Sequence, residues 1–267
     1  MDTRFWGPSG WKLLHCITFN YKYSPTNAVV YAQFLESIPY ILPCKFCRAS
    51  LTEYYKKYPL TTYVNINIDL KKWMYKIHNC VNDKLRLQGL NPNSNPKYAE
   101  VKKVYENWTD WEGQLSTFWD FLFAVAYNHP KESKNIPMPD CPKNVLRCKD
   151  KIEKNKWNVL GKRDRLYWYT RFWSNLPAVL PEEISKKWKK IDNPPTLQCR
   201  RSTLAWLWRM RCALDPKFRD PYTSICKKIT SYSSDCNNKS ITCRVSRRTS
   251  KTRNTRKCRL TLKKYKK

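Results

Sequence analysis

The chain has 267 residues, enough to bury a core in one large domain or two small ones. With 12 Trp and 17 Tyr but only 5 Gly, it does not suit a glycine-rich, turn-dense β fold, and it reads as an all-α protein. The net charge of +31 predicts attraction to polyanions, and no apolar run is long enough to cross a bilayer.

The first residues, Met1-Asp-Thr-Arg-Phe-Trp, lack the basic-then-apolar order of a signal peptide, so the protein is expected on the cytosolic side. Trp11, Leu14, His15 and Thr18 fall at helical spacing and predict a first helix. A second covers about 29–38. A third starts at Pro43, carries Cys47, Leu51, Tyr54 and Tyr55, and closes at Pro59. Residues 64–70 alternate like a strand but are short and isolated, so they read as a loop. The fourth helix takes Asp69 as N-cap and places Leu70, Trp73, Ile77 and Val81 on one stripe. His78 and Asn82 lie beside that stripe, one turn apart. Turn-rich residues 88–97 read as a linker. These elements divide the chain at 1–99, 100–221 and 222–267. The last segment holds nine Lys and six Arg against Asp235 alone. It reads as a disordered basic tail able to contact nucleic acid without sequence preference.

The second block resembles a worn copy of the first. The run from Trp11 to Asn20 matches that from Trp119 to Asn128, Phe34 through Pro43 matches Phe172 through Pro181, and the run from Trp73 matches that from Trp206. Apolar positions survive and polar ones do not. His15 becomes Phe123, Cys44 becomes Glu182, Cys47 becomes Ser185, His78 becomes Arg211 and Asn82 becomes Asp215. The polar set therefore points to chemistry in the first copy.

Cys44-Lys-Phe-Cys47 is a C-x-x-C at a predicted helix start, where backbone amides and the helix dipole favour a thiolate. Taken alone it admits redox, metal and structural readings. A zinc site needs a second ligand pair and no other C-x-x-C exists, so no metal is expected. A thioredoxin-like context would need a preceding buried strand, and these flanks are helical.

Context narrows the choice. Trp6-Gly-Pro-x-x-Trp11-x-x-Leu14-His15, then Pro43-Cys-x-x-Cys, then Trp73-x4-His78-Asn79-x-Val81-Asn82-x-Lys84-Leu85 resembles the Erv/ALR family of FAD-linked sulfhydryl oxidases. The likeness is closest to the branch encoded by large cytoplasmic DNA viruses and covers roughly residues 4–100. It implies a four-helix bundle with a short fifth helix, followed here by a degenerate Erv-like helical domain. It further implies bound FAD contacted by Trp11, His15, His78, Asn79, Asn82 and Lys84, and a catalytic Cys44/Cys47 disulfide. Cys44 would be the more exposed sulfur, attacked by protein thiol substrates of viral origin. Electrons would pass through flavin to oxygen, giving hydrogen peroxide, in host cytoplasm and virion. A homodimer, or an internal pseudo-dimer using the second copy, is the implied assembly. The chain departs from the family's cellular pattern at Pro8, where Arg is usual, and at Arg86-Leu87, where Gly-Lys is usual. Arg4 and Arg86 are the candidate replacements for phosphate contact. His129 has no family counterpart. Cys141 with Cys148, or cysteines among Cys226, Cys236, Cys243 and Cys258, are the candidate shuttle thiols.

Overall fold

The computed structural model describes residues 1–91, 93–106, 111–129, 160–191, 200–215 and 217–233. Every regular element among them is helical. In the first half these are α1 (Thr3–Phe19), α2 (Pro25–Ile41), α3 (Lys45–Lys57), a single 3-10 turn (Leu60–Thr62), α4 (Asn67–Leu87) and α5 (Tyr98–Glu106). The second half holds α6 (Trp111–Tyr127), α7 (Lys162–Val179), α8 (Glu182–Ile191), α9 (Arg200–Leu214) and α10 (Tyr222–Ser231). Cys141, Cys148, Cys236, Cys243 and Cys258 lie outside the described residues, as does most of the basic tail.

Local chemistry sets the helix starts. Asp2 accepts from the Arg4 N–H to cap α1, and Ser24 accepts from the Asn27 N–H to cap α2. Pro25 fills the first turn of α2, where a missing N–H costs nothing. Helix α4 begins earlier than Asp69 suggested. Ile66 holds the cap position without a side-chain bond, and Asp69 falls in the first turn, where its charge still favours the helix N-terminus. Part of the segment expected as loop over 64–70 is therefore helical.

Helices α1 to α4 pack as a four-helix bundle, and α5 crosses against α1 and α4. The fifth helix thus straddles the boundary expected at 99 and ends with the first half at Glu106. The expected tail also starts later than 222. Tyr222, Ile225, Cys226 and Ile229 are buried at helical spacing, so α10 packs on α6 as part of the folded body. The composition of 222–267 as a whole hid that short amphipathic stretch.

The two halves share one continuous hydrophobic core. Helix α1 lies against α6, and α2 lies against α7, so matched segments of the two halves face each other. Phe34 stacks on its counterpart Phe172 with ring centroids 5.3 Å apart. Tyr31 donates its hydroxyl to the Val179 carbonyl at 3.3 Å, and Tyr169 donates to the Ile41 carbonyl at 3.2 Å. In the α2/α7 alignment these two bonds are reciprocal, the signature of a two-fold contact, here made within one chain. Gly10 sits where α1 meets α6. A Cβ there would lie 2.9 Å from a Phe121 ring carbon, so the close approach needs glycine.

Candidate active site

Helix α3 starts at the cysteine pair. Cys44 occupies the N-cap with extended backbone, and its sulfur accepts from the Cys47 N–H at 3.4 Å. A hydrogen bond from the Cys47 thiol, aided by the backbone amides of Cys47 and Phe46, pulls the Cys44 thiol down to about 6 against the opposing effect of burial. The same shared proton, together with burial, pushes Cys47 up, while Lys84 and Arg48 pull it the other way. The reduced pair is thus a Cys44 thiolate steadied by a Cys47 thiol.

The order of exposure is the reverse of that expected. Cys44 is 6% exposed and Cys47 is half-buried. The sulfur of Cys44 turns back over the helix start to serve as cap, and that turn buries it. Phe46, between the two cysteines, is 56% exposed with the Lys45 ammonium over its ring.

A second cluster joins α1, α4 and α5. His78 stacks on Trp11 at 4.0 Å between centroids, and His15 stacks on Tyr105 at 4.8 Å. Nε2 of His15 and Nδ1 of His78 lie 2.9 Å apart, a hydrogen bond in which one ring donates and the other accepts. Nδ1 of His15 is buried with no partner among the described residues. Burial, and then its neighbour His78, lowers His15 to about 3; burial lowers His78 to about 4. Both rings are therefore neutral near pH 7.

That pair predicts acid lability. Unfolded histidines protonate near pH 6.5, whereas the folded ones resist, so their contribution is present above about 6.5 and is lost as pH falls toward the folded values. The urea midpoint should drop between pH 7.5 and pH 5, and His78→Gln should flatten that drop. A midpoint equally pH-dependent in wild type and variant would show that other groups govern it.

The structure brings Trp11, His15 and His78 together and adds Tyr105. Tyr105 was missed because it follows the linker and shares no motif with the histidines. Asn79 and Asn82 are half-buried on α4. Lys84 is not with the histidines. Its Nζ donates to Ser50 Oγ of α3 at 2.7 Å, and it lines a cleft of about 510 Å³ with Tyr54, Lys57, Cys80 and Asp83. Of the candidate replacement arginines, one reaches this cleft through Asp83. Arg4 is paired with Asp2 at 2.7 Å and Arg86 with Asp83 at 2.9 Å. His129 is buried edge-on against Tyr169, in the seam between the halves.

The second half carries different groups at the matched positions. Trp119 is fully buried, stacked on Trp188, with the Arg211 guanidinium over its ring at 5.8 Å and Phe123 alongside. Arg211 also lies 3.8 Å from the Phe218 centroid. Packing thus fills the place that the histidine pair takes in the first half. Among the described residues, no cluster of side chains suits a metal ion, and no helix is long and apolar enough to cross a membrane.

A helical bundle with a cysteine pair at one helix start is an arrangement that can carry thiol–disulfide exchange. Residues 8–108 match the Erv1 / Alr family. The FAD-linked sulfhydryl oxidase of African swine fever virus is 31% identical over 107 residues, 38% of this chain and 80% of that protein. Probable FAD-linked sulfhydryl oxidase R368 of Acanthamoeba polyphaga mimivirus is 38% identical over 85 residues, 31% of this chain and 59% of that protein. The mitochondrial FAD-linked sulfhydryl oxidase ERV1 of Saccharomyces cerevisiae is 33% identical over 87 residues, 32% of this chain and 45% of that protein. The chain belongs to the Erv1 / Alr family. It spans less than two thirds of the mimivirus and yeast proteins, and no solved structure matches it.

Proposed function

We propose that the chain is a FAD-dependent thiol oxidase that forms disulfides in protein substrates. The observation that carries this reading is the Cys44 sulfur capping α3 within hydrogen-bond reach of Cys47. The residues present fit the cofactor. Trp11, His15, His78 and Tyr105 offer flat faces to a heteroaromatic ring, and the orphaned Nδ1 of His15 offers it a hydrogen bond. Asn79 and Asn82 supply nearby amides, while Lys84 and Lys57 supply cations suited to phosphate.

In the oxidised enzyme, a substrate thiolate attacks Cys44. A new S–S bond forms, the Cys44–Cys47 bond breaks, and Cys47 leaves as thiolate beside Lys84 and Arg48. A second substrate thiolate then attacks the substrate sulfur of that mixed disulfide. The substrate disulfide is released and Cys44 leaves as the thiolate its helix start favours. FAD, held by Trp11, His15, His78 and Tyr105, would supply the two-electron acceptor for the reduced pair, with oxygen as the final acceptor and hydrogen peroxide as product. Viral proteins made in host cytoplasm are the substrates this reading implies, and the fifteen cations of 222–267 add salt-sensitive phosphate contacts.

The assembly that follows is an internal pseudo-dimer. The reciprocal Tyr31 and Tyr169 bonds favour it, because the faces of α1 and α2 are already covered by α6 and α7.

The test is direct. The full chain reconstituted with FAD should be yellow and should consume oxygen with dithiothreitol while peroxide accumulates. His78→Ala and Asn82→Ala should retain less flavin and melt earlier, since a ligand bound only to the native state stabilises it. A colourless, inert wild type would end the proposal.

A further inference from the structure

Helix α2 ends at Ile41, so the carbonyls of its last turn have no partner within the helix. Those of Ile41 and Leu42 lie at the negative end of the helix, immediately before the Pro43-Cys44 step. Three donors converge on them. Arg48, buried on α3, donates Nη1 to the Leu42 carbonyl at 2.7 Å. Asn128 donates Nδ2 to the same carbonyl at 3.4 Å, and the Tyr169 hydroxyl donates to the Ile41 carbonyl at 3.2 Å. The latter two come from the second half and hold each other. Asn128 Nδ2 donates to the Tyr169 oxygen at 3.0 Å, and the single hydroxyl proton of Tyr169 is shared with the Asn128 carbonyl at 3.0 Å. Arg165 donates Nη2 to that same carbonyl at 3.2 Å.

The matched place in the other half has far less. Tyr31 makes the mirror bond to Val179, but Lys186 stands where Arg48 stands and pairs with exposed Glu182 at 2.6 Å. Asn20 stands where Asn128 stands and donates back to Cys16 of its own helix at 2.9 Å. Among the described residues, the extra donors therefore appear only on the side that carries the cysteine pair.

We propose that Asn128 and Tyr169 of the second half act with Arg48 as positioning residues for Cys44, clamping the carbonyls that lead into it. The clamp fixes the loop that presents the Cys44 sulfur. It also offsets carbonyl dipoles that would otherwise oppose a thiolate there. Arg48 lies close enough to feel the charge of both cysteines. This inference rests on the thiol oxidase reading and adds to it that the second half is a working part of the redox centre.

The experiment uses the full chain in a Cys47→Ser background, which leaves one thiol at the site. The pH midpoint for iodoacetamide alkylation of Cys44, read by peptide mass spectrometry, should rise by roughly half a unit in Tyr169→Phe and in Asn128→Ala. Arg48→Gln should raise it as well, and Arg48→Lys should restore most of the shift. Tyr31→Phe, which removes the mirror bond, should leave the midpoint where it is. With Cys47 restored, Tyr169→Phe should oxidise dithiothreitol about three-fold more slowly near neutral pH at unchanged flavin content. Unmoved midpoints in folded Tyr169→Phe and Asn128→Ala overturn the clamp. So does an equal shift in Tyr31→Phe, which would make the effect a general one of the seam. If Arg48→Gln does not fold, the two tyrosine variants decide the matter. Alkylation requires no turnover, so an inactive wild type would remove the oxidase reading while the clamp stayed measurable.

Discussion

Cys47→Ser and Cys44→Ser are each expected to lower dithiothreitol oxidation by roughly a thousand-fold or more, while flavin content stays at the wild-type level. The size follows from the chemistry. A single remaining sulfur cannot form the Cys44–Cys47 disulfide, so no oxidised partner exists for a substrate thiolate to attack. Neither side chain is large, and serine keeps an oxygen able to cap α3 in place of the Cys44 sulfur, so the fold should survive. The two variants should differ in detail. With Cys47 replaced, Cys44 loses the thiol hydrogen bond that lowers it most and keeps the backbone amides of α3 against burial, so its alkylation should need a higher pH than in the wild type. With Cys44 replaced, Cys47 loses the partner that shares its proton and should become a more ordinary buried thiol. Oxygen-electrode rates with flavin absorbance check the first point, and alkylation profiles check the second. Turnover retained by either variant would move the redox centre elsewhere in the chain.

Phe172→Ala should cost about 3–5 kcal/mol and lower the melting temperature by about 10 °C. Phe172 is fully buried, stacks on Phe34, and meets Phe121 and Trp173 edge-on at 6.4 and 4.9 Å. Phe121 in turn presses on Gly10 of α1, so the lost ring leaves a cavity bordered by helices that cannot easily collapse. Because one core runs through both halves, far-ultraviolet circular dichroism and flavin release should report one shared transition, shifted together by the substitution. Two separate transitions, with flavin release untouched by Phe172→Ala, would mean that the halves fold as independent units.

The helical bundle was readable because its signals are local. Trp11 and His15 are one turn apart on α1, and Pro43 with the cysteine pair marks the start of α3. Such spacings survive without knowledge of the partners. The clamp on Ile41 and Leu42 was not readable, since Asn128 and Tyr169 lie 86 and 128 residues from their carbonyl partners and belong to no motif. Tyr105 escaped for the same reason, being brought to His15 only by the way α5 crosses the bundle. The order of exposure at the cysteines goes with Cys44 serving as the cap of α3, which the spacing of the pair does not reveal. Lys84 followed its motif neighbours in sequence but not in space, because it points to α3 whereas His78 points to α1.

The mirror bonds of Tyr31 and Tyr169 are made by residues that share a polypeptide. Two separate subunits must part on sufficient dilution, whereas this contact is held at an effective concentration set by the connecting chain alone. Its melting point should therefore not vary with protein concentration. Separate codons also free the two sides from being copies. In a symmetric pair every substitution is applied twice, so a change that suits one site is imposed on the other. Here Trp119, Phe123 and Arg211 form a packed cluster, whereas His15 and His78 hold neutral imidazoles beside Trp11. Asn128 likewise turns toward Leu42 while Asn20 stays on its own helix.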